Sequence, residues 1–409
     1  MADLTLRIVR SLRDISARDW DACANPEIAS DPRALRPVSD SVSQASPADS
    51  VSEDEPFNPF VSHAFLWSLE ESGCAVARTG WAGAHAVLER GDDILATAPA
   101  YLKSHSMGEY VFDHGWADAY ERAGGAYYPK LQVCAPFTPV PGRRLLVRPD
   151  APAGTESALI GGLRALTRKT GASSLHVTFP TRREWEALGA AGLLQRTGQQ
   201  FHFANPGYRD FDDFLDALAS RKRKAIRKER AAALAGGVEI EWATGADLTE
   251  AHWDAFYAFY MDTGARKWGR PYLNRAFFSM IGERLADRIL LVLARREGRA
   301  IAGALNFIGD RALYGRNWGA LEDRPFLHFE LCYYQAIDFA ISRGLARVEA
   351  GAQGEHKLAR GYMPVPTYSA HDLVDPRLAR AVADFLARER RQVAETIQVY
   401  GEYTPFRKA

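Results

Sequence analysis

Residues 289–319 read ILLVLARREGRAIAGALNFIGDRALYGRNWG, and this stretch decides the fold class of the chain. It contains three runs of strand length, at 289–295, 300–308 and 312–319. The runs are separated by two glycine-containing turns, Glu297-Gly298 and Gly309-Asp310. Short apolar runs that alternate with such turns are typical of neighbouring antiparallel strands. The stretch therefore predicts a three-stranded meander.

A helix and one more strand follow this meander. Residues 326–344 place apolar side chains on one helical face and end at Gly344, a residue type that favours the left-handed conformation found after helices. The run LARVEAG, residues 345–351, then predicts a returning strand. Three antiparallel strands, a helix and a returning strand form an α+β layer with the helix packed on the sheet.

A second meander of the same pattern lies earlier in the chain. Its three predicted strands are 85–90, 94–102 and 109–116. Gly91 matches Gly298 at an offset of 207 residues, and residues 112–117 match 314–319 once a shorter turn in the second copy is allowed for. Repetition of a whole strand-and-turn pattern indicates a duplicated domain.

The length of the chain agrees with a duplication, because its 409 residues correspond to two or three domains at roughly 150 residues each. We predict two α+β domains, residues 1–205 and 206–409. Residues 37–56 hold six serines, five acidic residues and three prolines, with no aromatic or basic residue. Such a segment cannot bury enough apolar surface to offset its ordering entropy, so we predict a disordered insertion there.

The composition excludes several classes of protein. Lys and Arg together number 51, as do Asp and Glu, so the chain is not a generally polybasic nucleic-acid binder. The four cysteines form no CxxC pair, which argues against a disulfide framework or a structural zinc site and favours a reducing compartment. The sequence shows no signal peptide and no apolar run long enough to span a membrane, so we predict a cytoplasmic protein.

Residues 221–230, RKRKAIRKER, carry seven basic side chains and one acidic side chain. Two interpretations stay open. The run is a solvated helical face, as most charge runs are, or it binds an anion that relieves the repulsion among its cations. A diphosphate, a phosphorylated cofactor and RNA are the candidate anions.

The third strand of each meander has a mixed face. This face holds Phe112, His114 and Trp116 in the first copy and Tyr314, Arg316 and Trp318 in the second. Because arginine is almost never fully buried without a partner, the second face predicts a substrate cleft. The alternative is a core stripe in which Arg316 pairs with Glu330.

The loop GAQGEHKLARGY, residues 351–362, places titratable side chains directly after the returning strand. Glu355, His356 and Lys357 are the candidate catalytic residues there, because burial can tune such groups as bases or as partners of an oxyanion. Glu349 is a further candidate base. The alternative is a polar, glycine-rich loop whose charges are simply solvated.

Two other segments offer weaker candidates. Residues 260–272 contain Arg266 and Trp268, which suit stacking and anion contacts but also suit an ordinary interdomain loop. In the first half, Lys103 and His105 are candidate substrate contacts. A metal site made of His105, Glu109 and His114 matches no recurring ligand spacing, and we predict no metal.

Several common motifs are absent, among them the P-loop, GxGxxG, GxSxG and HExxH. Residues 295–300, RREGRA, fit the R/Q-x-x-G-x-G/A signature of acetyl-CoA-binding acetyltransferases. That signature works in a loop that leads from a strand into a helix, whose backbone amides hold the pyrophosphate. Here it joins two predicted strands, and we reject it.

Several long passages resemble FemAB-like proteins of the GNAT acyltransferase superfamily, and the resemblance covers most of the sequence outside 27–56. The passages are residues 58–73, 101–120, 220–230, 259–272, 303–309 with 313–320, and 348–362. They are most similar to the branch described as predicted N-acyltransferases. The resemblance implies two GNAT-like domains in one chain, each with a mixed, mostly antiparallel sheet flanked by helices.

The same resemblance implies amide formation, in which an amine attacks an activated acyl group that is a thioester or an aminoacyl-tRNA ester. The basic run 221–230 lies where Fem-type proteins carry a Lys/Arg-rich helix at the entry of the second domain. Residues 356–362 are the nearest match to their F-K-x-x-F-G passage, so the resemblance implies that Lys357 stabilises the developing oxyanion.

We therefore expect an N-acyltransferase with a donor of the acyl-CoA type, a small-molecule amine as acceptor and no tightly bound cofactor. The predicted donor-binding residues are Arg221, Lys222, Arg223, Lys224 and Arg227. The predicted substrate contacts are Tyr314, Arg316, Trp318, Glu330, Arg266, Trp268, Lys103 and His105. Glu355 or His356 is the predicted base.

Two other functions stay open. One is an aminoacyl-tRNA-dependent peptidoglycan-bridge aminoacyltransferase, against which the lack of the coiled-coil arm of some tRNA-using relatives argues. The other is a non-catalytic GNAT-fold module that binds an anionic ligand or RNA. Both keep the basic run, so the loop 351–362 is the feature that distinguishes an enzyme from a binding module.

Overall fold

The computed structural model describes residues 4–26, 57–267, 271–351 and 354–407, with the side chains of 265–267 left undescribed. The predicted insertion 37–56 and the predicted contact Trp268 lie outside the described residues. Arg266 lies in the last turn of a helix, and its side chain is not described.

The chain divides into two compact units, and the division differs from the predicted cut at 205/206. The first unit contains the described residues 4–26 together with the described residues of Ser50–Gly198 and Pro366–Thr396. The second lies within Gln199–Val365 and Ile397–Ala409. The prediction assumed contiguous domains, whereas residues 366–396 belong to the first unit because they pair with and pack on its elements.

The first unit contains five complete helices and eight complete strands among its described residues. The helices are α1 (Ala17–Ala24), α2 (His63–Glu71), α3 (His114–Arg122), α4 (Thr155–Lys169) and α5 (Arg182–Ala190). The strands are β1 (Leu4–Val9), β2 (Trp81–Gly83), β3 (His85–Arg90), β4 (Asp93–Ala98), β5 (Ala100–Lys103), β6 (Lys130–Val133), β7 (Leu146–Val147) and β8 (Ser174–Thr178). Short 3-10 helices lie at Leu12–Asp14, Pro59–Val61 and Ala77–Thr79.

The second unit is built from the middle of the chain. Its strands are β10 (Val238–Ala243), β11 (Ile289–Arg296), β12 (Arg299–Ile308), β13 (Ala312–Ala320) and β14 (Arg347–Glu349). Its helices are α6 (Phe211–Ala217), α7 (Ser220–Ala233), α8 (Glu250–Lys267), α9 (Arg275–Arg284), α10 (Leu327–Phe329), a π-helical segment (Glu330–Tyr334) and α11 (Gln335–Ser342). Its 3-10 helices are Gly245–Asp247, Ala286–Arg288 and Glu355–Arg360.

Three elements supply residues to both units: β9 (Leu194–Ala204), β15 (Tyr362–Leu373) and α12 (Pro376–Glu402). In the first unit, residues Ser369–Leu373 of β15 pair antiparallel with β8. The start of α12 buries Leu378, Val382 and Leu386 with Trp116 of α3 in one apolar cluster. These main-chain and apolar contacts hold the C-terminal segment to the first unit.

The first unit has one sheet in the order β1-β3-β4-β7 and another in the order β15-β8-β6-β5-β2. Neighbouring strands are antiparallel except β6 and β8, which are parallel. Helix α4 covers the sheet with Leu159, Leu163 and Leu166, all buried. The closeness of this packing is visible at Gly162, where a Cβ atom would lie 2.9 Å from Leu6.

The second unit has a sheet in the order β10-β11-β12-β13-β14-β9, in which only β13 and β14 are parallel. The predicted meander and returning strand are confirmed as β11, β12, β13 and β14. The predicted helix is present, interrupted by the π-helical segment, and Gly344 follows it at φ 64°. The α+β fold class is thereby confirmed in both units.

The proposed internal match is correct for one hairpin and wrong for the third strand. Gly91 and Gly298 both occupy left-handed turns, at φ 61° and 75°, between β3 and β4 and between β11 and β12. Residues 109–116, however, form no strand, and His114 begins α3 instead. Phe112, His114 and Trp116 therefore share no strand face. The glycine turns could be predicted because their signal lies in a few neighbouring residues. The spacing of the aromatic residues in 109–116 fits a short helix as well as a strand.

Candidate functional site

The basic run forms helix α7, and one face of that helix lines a crevice in the second unit. The crevice has a volume of about 370 Å³. Its lining residues are Arg221, Lys222, Ala225, Ile226, Glu229, Ala359 and Arg360. The first five recur at helical spacing on α7, and the last two come from the 3-10 helix Glu355–Arg360. We call this cavity the basic crevice.

The seven basic side chains of α7 fall into two groups. Three arginines are paired: Arg223 with Asp216 at 2.7 Å, Arg227 with Asp212 at 2.9 Å, and Arg230 with Glu330 at 3.0 Å. The acidic partners lie on other elements of the fold. The sequence of the helix alone therefore could not show that these three arginines are paired. The remaining four have no hydrogen-bond or ion-pair partner among the described residues; they are Arg221, Lys222, Lys224 and Lys228.

Of the four unpaired cations, Arg221 and Lys222 line the basic crevice. Exposed ion pairs such as those of Arg223 and Arg227 contribute only about 0–1 kcal/mol, so they stabilise the helix surface weakly. Repulsion among the unpaired cations is relieved when an anion binds between them. The basic crevice is therefore the best-supported anion site in the described part of the chain.

Two glycines shape the 3-10 helix that forms the other side of the basic crevice. Gly354 precedes it at φ 120°, and a Cβ atom there would lie 2.6 Å from the His356 ring. Gly361 ends it at φ 90°, and a Cβ atom there would lie 2.9 Å from Phe214. Both positions require glycine because of backbone conformation and close packing.

The structure places the three predicted catalytic residues in different environments. Lys357 is buried, and its Nζ donates to the carbonyl oxygens of Ala350 at 2.6 Å and Gly351 at 3.0 Å. Burial lowers the pKa of Lys357 to about 8. Two of the three ammonium hydrogens are thus engaged, and one remains for another acceptor.

Glu355 and His356 are both exposed, but they contact different groups. The Glu355 carboxylate accepts a hydrogen bond from the Tyr400 hydroxyl. The His356 Nε2 atom shares a hydrogen bond of 2.9 Å with the Tyr333 hydroxyl, and its ring centroid lies 5.6 Å from that of Phe329. A tyrosine hydroxyl at this distance orients the imidazole, as the partner of a catalytic base must.

A second cavity, of about 260 Å³, lies beside β13. Its lining residues are Thr263, Trp318, Ala320, Glu322, Asp323, Arg324, Phe326, His328 and Phe329. Helix α8 reaches it because Gly319 permits close approach: a Cβ atom there would lie 2.1 Å from the Phe259 carbonyl oxygen. Thr263 Oγ1 then accepts a hydrogen bond of 3.3 Å from the Ala320 amide. We call this cavity the aromatic cleft.

Phe329 and Arg360 link the two cavities. Phe329 lines the aromatic cleft, Arg360 lines the basic crevice, and the Arg360 guanidinium carbon lies 3.5 Å from the centroid of the Phe329 ring. Arg360 also donates to both carboxylate oxygens of Glu229 at 3.0 and 2.9 Å. The His356 ring contacts Phe329, so the predicted base lies at this shared wall.

Two predicted substrate contacts belong to the core of the second unit. Tyr314 is fully buried, and Arg347 Nη2 donates to its hydroxyl at 3.4 Å. Glu330 is also fully buried and accepts from Arg230 and from Gln335 at 2.7 Å. Neither side chain lines the described cavities, because each is held by partners inside the unit. The ion-pair partner of Glu330 is therefore Arg230, and not Arg316 as the alternative interpretation of the sequence had it.

Arg316 and Glu349 lie near the edge of the β13–β14 pair. Arg316 is the extra residue of a β-bulge, since Leu305 pairs with Asn317 and Asn306 with Gly315. Glu349 is buried at the end of β14, and burial raises its pKa despite the nearby Arg347. Its Oε2 atom has no hydrogen-bond partner among the described residues.

Lys103 and His105 belong to a buried polar cluster of the first unit. Lys103 donates to the Met107 carbonyl oxygen at 2.9 Å and lies 3.7 Å from Glu109. Burial lowers its pKa to about 7. His105 Nε2 lies 2.9 Å from the Thr79 carbonyl oxygen. These contacts place the two residues in a polar network of the first unit. Among the described residues, no group of three or more His, Cys, Asp or Glu side chains is arranged to hold a metal ion.

The model of a protein family, FemAB_like, described as peptidoglycan biosynthesis/recognition, matches residues 11–408. The chain belongs to the FemAB-like family. This membership implies transferase activity and confirms the resemblance found in the sequence. Comparison with curated protein sequences gives no match.

Three solved structures are similar to this chain at low sequence identity. FemX has a TM-score of 0.50 and 12% identity, over 77% of this chain and 93% of its own. A tandem GNAT protein from the clavulanic acid biosynthesis pathway has a TM-score of 0.46 and 12% identity, and the match covers 91% of this chain and 99% of that protein. L-PGS from Bacillus licheniformis has a TM-score of 0.48 and 10% identity, and the match covers 78% of this chain and 95% of that protein. The likeness to FemX supports the fold alone.

Sequence reasoning missed four residues that shape the cavities of this FemAB-like protein: Thr263, His328, Tyr333 and Glu229. Tyr333 lies on the helical stripe that was assigned to packing, and its ring centroid lies 5.3 Å from that of His328. The interruption of that helix by a π-helical turn, which sequence periodicity does not report, marks this region as special. None of the described helices is long and apolar enough to cross a membrane.

Proposed function

We propose that this FemAB-like chain is an N-acyltransferase that transfers an activated acyl group from a phosphate-bearing donor to an amine. One observation carries the proposal: helix α7 and the 3-10 helix Glu355–Arg360 meet at the basic crevice, and the same 3-10 helix carries His356, whose ring contacts Phe329. The unpaired Arg221 and Lys222 supply the charge that a phosphate group needs.

Two classes of donor fit the basic crevice. A thioester of the acyl-CoA type carries phosphates at one end, and an aminoacyl-tRNA carries them along its backbone. The pair Arg221 and Lys222 serves either, since neither side chain has an internal partner to lose. We propose the acyl-CoA type first. The aminoacyl-tRNA alternative rests on the FemAB-like description, peptidoglycan biosynthesis/recognition.

In the proposed reaction the amine nitrogen attacks the acyl carbonyl carbon, and a carbon–nitrogen bond forms. His356 removes a proton from the substrate ammonium so that the nitrogen lone pair is free to attack. The carbon–sulfur bond of a thioester, or the carbon–oxygen bond of an ester, then breaks. Bond formation leaves one further proton to be lost from the nitrogen, and the departing thiolate or alkoxide takes up that proton. The proton that His356 removed from the ammonium is released to solvent, so the products are the amide, the thiol or alcohol, and one proton.

His356 is a better base than Glu355 on geometric grounds. Neither side chain lines a described cavity, but the Tyr333 hydroxyl fixes the His356 imidazole beside Phe329, which lines the aromatic cleft. The Glu355 carboxylate instead accepts from Tyr400. We therefore assign the base to His356 and leave Glu355 as a contact that holds α12 residue Tyr400.

We propose that Lys357 donates its remaining N–H to the oxyanion of the tetrahedral intermediate. Ala350 and Gly351 fix the ammonium at the end of β14, so the donor is oriented before the reaction begins. Such preorganised donors contribute roughly 2.7–4 kcal/mol to barrier lowering.

A thermal-shift screen with acetyl-CoA, butyryl-CoA, charged tRNA and a nucleotide-sugar peptide precursor tests the donor assignment. A ligand that binds only the native state raises the melting temperature by mass action. The doubly substituted variant R221A/K222A removes the two unpaired cations of the basic crevice. The matched control is K224A/K228A, which removes two unpaired cations of the same helix that do not line the crevice.

We expect one donor class to raise the melting temperature of the wild-type chain and of K224A/K228A but not of R221A/K222A. An equal response in the two variants would show that the helix charge acts without the crevice. No stabilisation by either donor class would contradict the proposed function. Stabilisation by uncharged RNA with no acyl transfer would favour the binding-module alternative.

A further inference from the structure

The two cavities that share the Phe329–Arg360 wall carry opposite formal charge. The basic crevice is lined by Arg221, Lys222 and Arg360 against one carboxylate, Glu229. The aromatic cleft is lined by two carboxylates against one guanidinium, Arg324. A phosphate-bearing donor is therefore favoured in the first cavity and disfavoured in the second. The second cavity calls for a ligand of the opposite charge.

The carboxylates of the aromatic cleft are Glu322 and Asp323, and they are not equivalent. Glu322 lies 3.0 Å from Arg296 and 3.7 Å from Arg324, so its charge is offset within the protein. Asp323 is exposed and has no hydrogen-bond or ion-pair partner among the described residues. The unpaired charge of the cleft is thus a single carboxylate.

Aromatic rings form the rest of the cleft wall. Trp318 and His328 lie with ring centroids 4.8 Å apart, and Phe329 lies 5.5 Å from His328. The faces of indole and phenyl rings such as those of Trp318 and Phe329 attract a cation at short range. A carboxylate beside several ring faces is a combination that suits an ammonium group better than an anion or a neutral polar group.

The backbone around the cleft is strained in a way that presents one more ring. Phe326 adopts φ 63°, a left-handed conformation that is uncommon for a bulky residue and that costs on the order of 1–3 kcal/mol. Its side chain lines the cleft and is 38% exposed. The indole Nε1 of Trp318 is buried with no hydrogen-bond partner among the described residues, which is a further local cost.

We propose that the aromatic cleft is the acceptor subsite and that it binds a primary amine as its ammonium ion between the Asp323 carboxylate and the rings of Trp318 and His328. This assignment rests on the proposed function, because it supplies the amine for the acyl group held at the basic crevice. The donor would then bind in the basic crevice and the acceptor in the aromatic cleft. Phe329 and Arg360 separate the two ligands, and the proposed base His356 contacts Phe329.

The test is nitrogen-15 NMR of the tryptophan indoles of the full chain, titrated with n-butylammonium chloride and with no donor present. Loss of one resonance in Trp318→Phe assigns the Trp318 signal. n-Butanol and sodium butyrate are the probes matched in chain length, one uncharged and one anionic. Asp323→Asn removes the unpaired carboxylate, and Asp384→Asn, on an exposed face of α12, is the control substitution.

We expect n-butylammonium to shift the Trp318 resonance saturably and butyrate to leave it unchanged. Asp323→Asn should raise the apparent dissociation constant about fivefold, and Asp384→Asn should not change it. Equal effects of butanol, binding of butyrate, or no saturable shift would each overturn the proposal. Because no donor is present, such a failure leaves the donor-binding result with R221A/K222A intact and is distinct from failure of the proposed function.

Discussion

The guanidinium of Arg360 lies over the ring of Phe329, with its central carbon 3.5 Å from the ring centroid, and so closes the boundary between two cavities of opposite charge. The Nη2 atom of the same guanidinium donates to both carboxylate oxygens of Glu229 of α7. The Tyr334 hydroxyl also donates to Glu229. The wall therefore depends on one arginine that joins the basic helix to the loop after β14.

Replacement of Arg360 by methionine should lower the free energy of unfolding by about 1.5–3 kcal/mol, because it leaves a partly buried carboxylate without its charged donor. Arg343→Met is the control, since Arg343 also lies over a ring, that of Phe339, but is exposed and makes no ion pair among the described contacts. Chemical denaturation should show a change within about 0.5 kcal/mol for this control. Equal losses in both variants would contradict the role assigned to the Glu229 pair.

The lowered pKa of Lys357 predicts the pH at which kcat falls on the alkaline side of the pH profile. Oxyanion stabilisation requires the ammonium form, and burial lowers the Lys357 pKa to about 8. The protonated fraction therefore falls as the pH rises through about 8, and kcat should fall with it rather than near the ordinary lysine pKa of about 10.4. Lys357→Arg keeps its charge in this range and should not show this fall.

The measurement is kcat from pH 6.5 to 9.5 for the wild-type chain, Lys357→Arg and Lys357→Met. Loss of one oxyanion donor should lower kcat of the methionine variant by roughly 10²–10³-fold. A folded methionine variant with full turnover, or a wild-type profile that stays flat to pH 9.5, would remove Lys357 from the mechanism.

Substitution of the two exposed candidate bases should separate them. His356→Gln should lower kcat by roughly 10²–10⁴-fold with little change in donor binding, because proton removal is lost while the basic crevice is intact. Glu355→Gln should change kcat by less than about threefold, since its carboxylate only accepts from Tyr400. Steady-state kinetics with binding measured separately distinguishes these outcomes. The opposite order of effects would assign the base to Glu355.

The first unit should lose stability in mild acid because of two buried histidines. His176 and His371 lie with Nδ1 atoms 2.7 Å apart, and burial lowers the pKa of His176 to about 3 and that of His371 well below 6.5. Below pH 6.5 the unfolded chain therefore binds more protons than the native chain. The free energy of unfolding should fall by about 1.4 kcal/mol per histidine and pH unit.

Denaturation at pH 7, 6 and 5, followed by tryptophan fluorescence, measures this slope. Trp116 is a local reporter, because its ring lies 5.0 Å from that of His371. His371→Asn should reduce the slope by the share of one histidine. A free energy of unfolding that stays constant from pH 7 to 5 would show that both histidines are protonated in the native state or are exposed.

The sequence was sufficient for features with a short-range signal. The hairpins around Gly91 and Gly298 followed from turn chemistry, and α7 followed from an unbroken run of helix-forming residues. The third strand of the first copy failed because the aromatic spacing of 109–116 suits two local structures. Only tertiary packing, which buries Trp116 against α12, decides between them.

The site was predictable in its parts but not in its pairings. The charge of α7 and the titratable residues of 355–357 were found from composition and position. That Arg230 pairs with Glu330, a hundred residues away, and that Lys357 is buried against two carbonyls depend on folded geometry. Tyr314 was assigned to a cleft because alternation gives a strand two faces, and it cannot tell which face is core.

The most direct test of the account is product analysis of a single-turnover reaction. The wild-type chain is loaded with the donor that the thermal-shift screen identifies and then mixed with n-butylamine, and mass spectrometry searches for the N-butyl amide of the donor's acyl group. We predict that the amide forms with the wild-type chain and with K224A/K228A, and that R221A/K222A and His356→Gln form far less. Tight donor binding that yields no amide, or yields only the hydrolysed acid, would contradict amide formation by this chain.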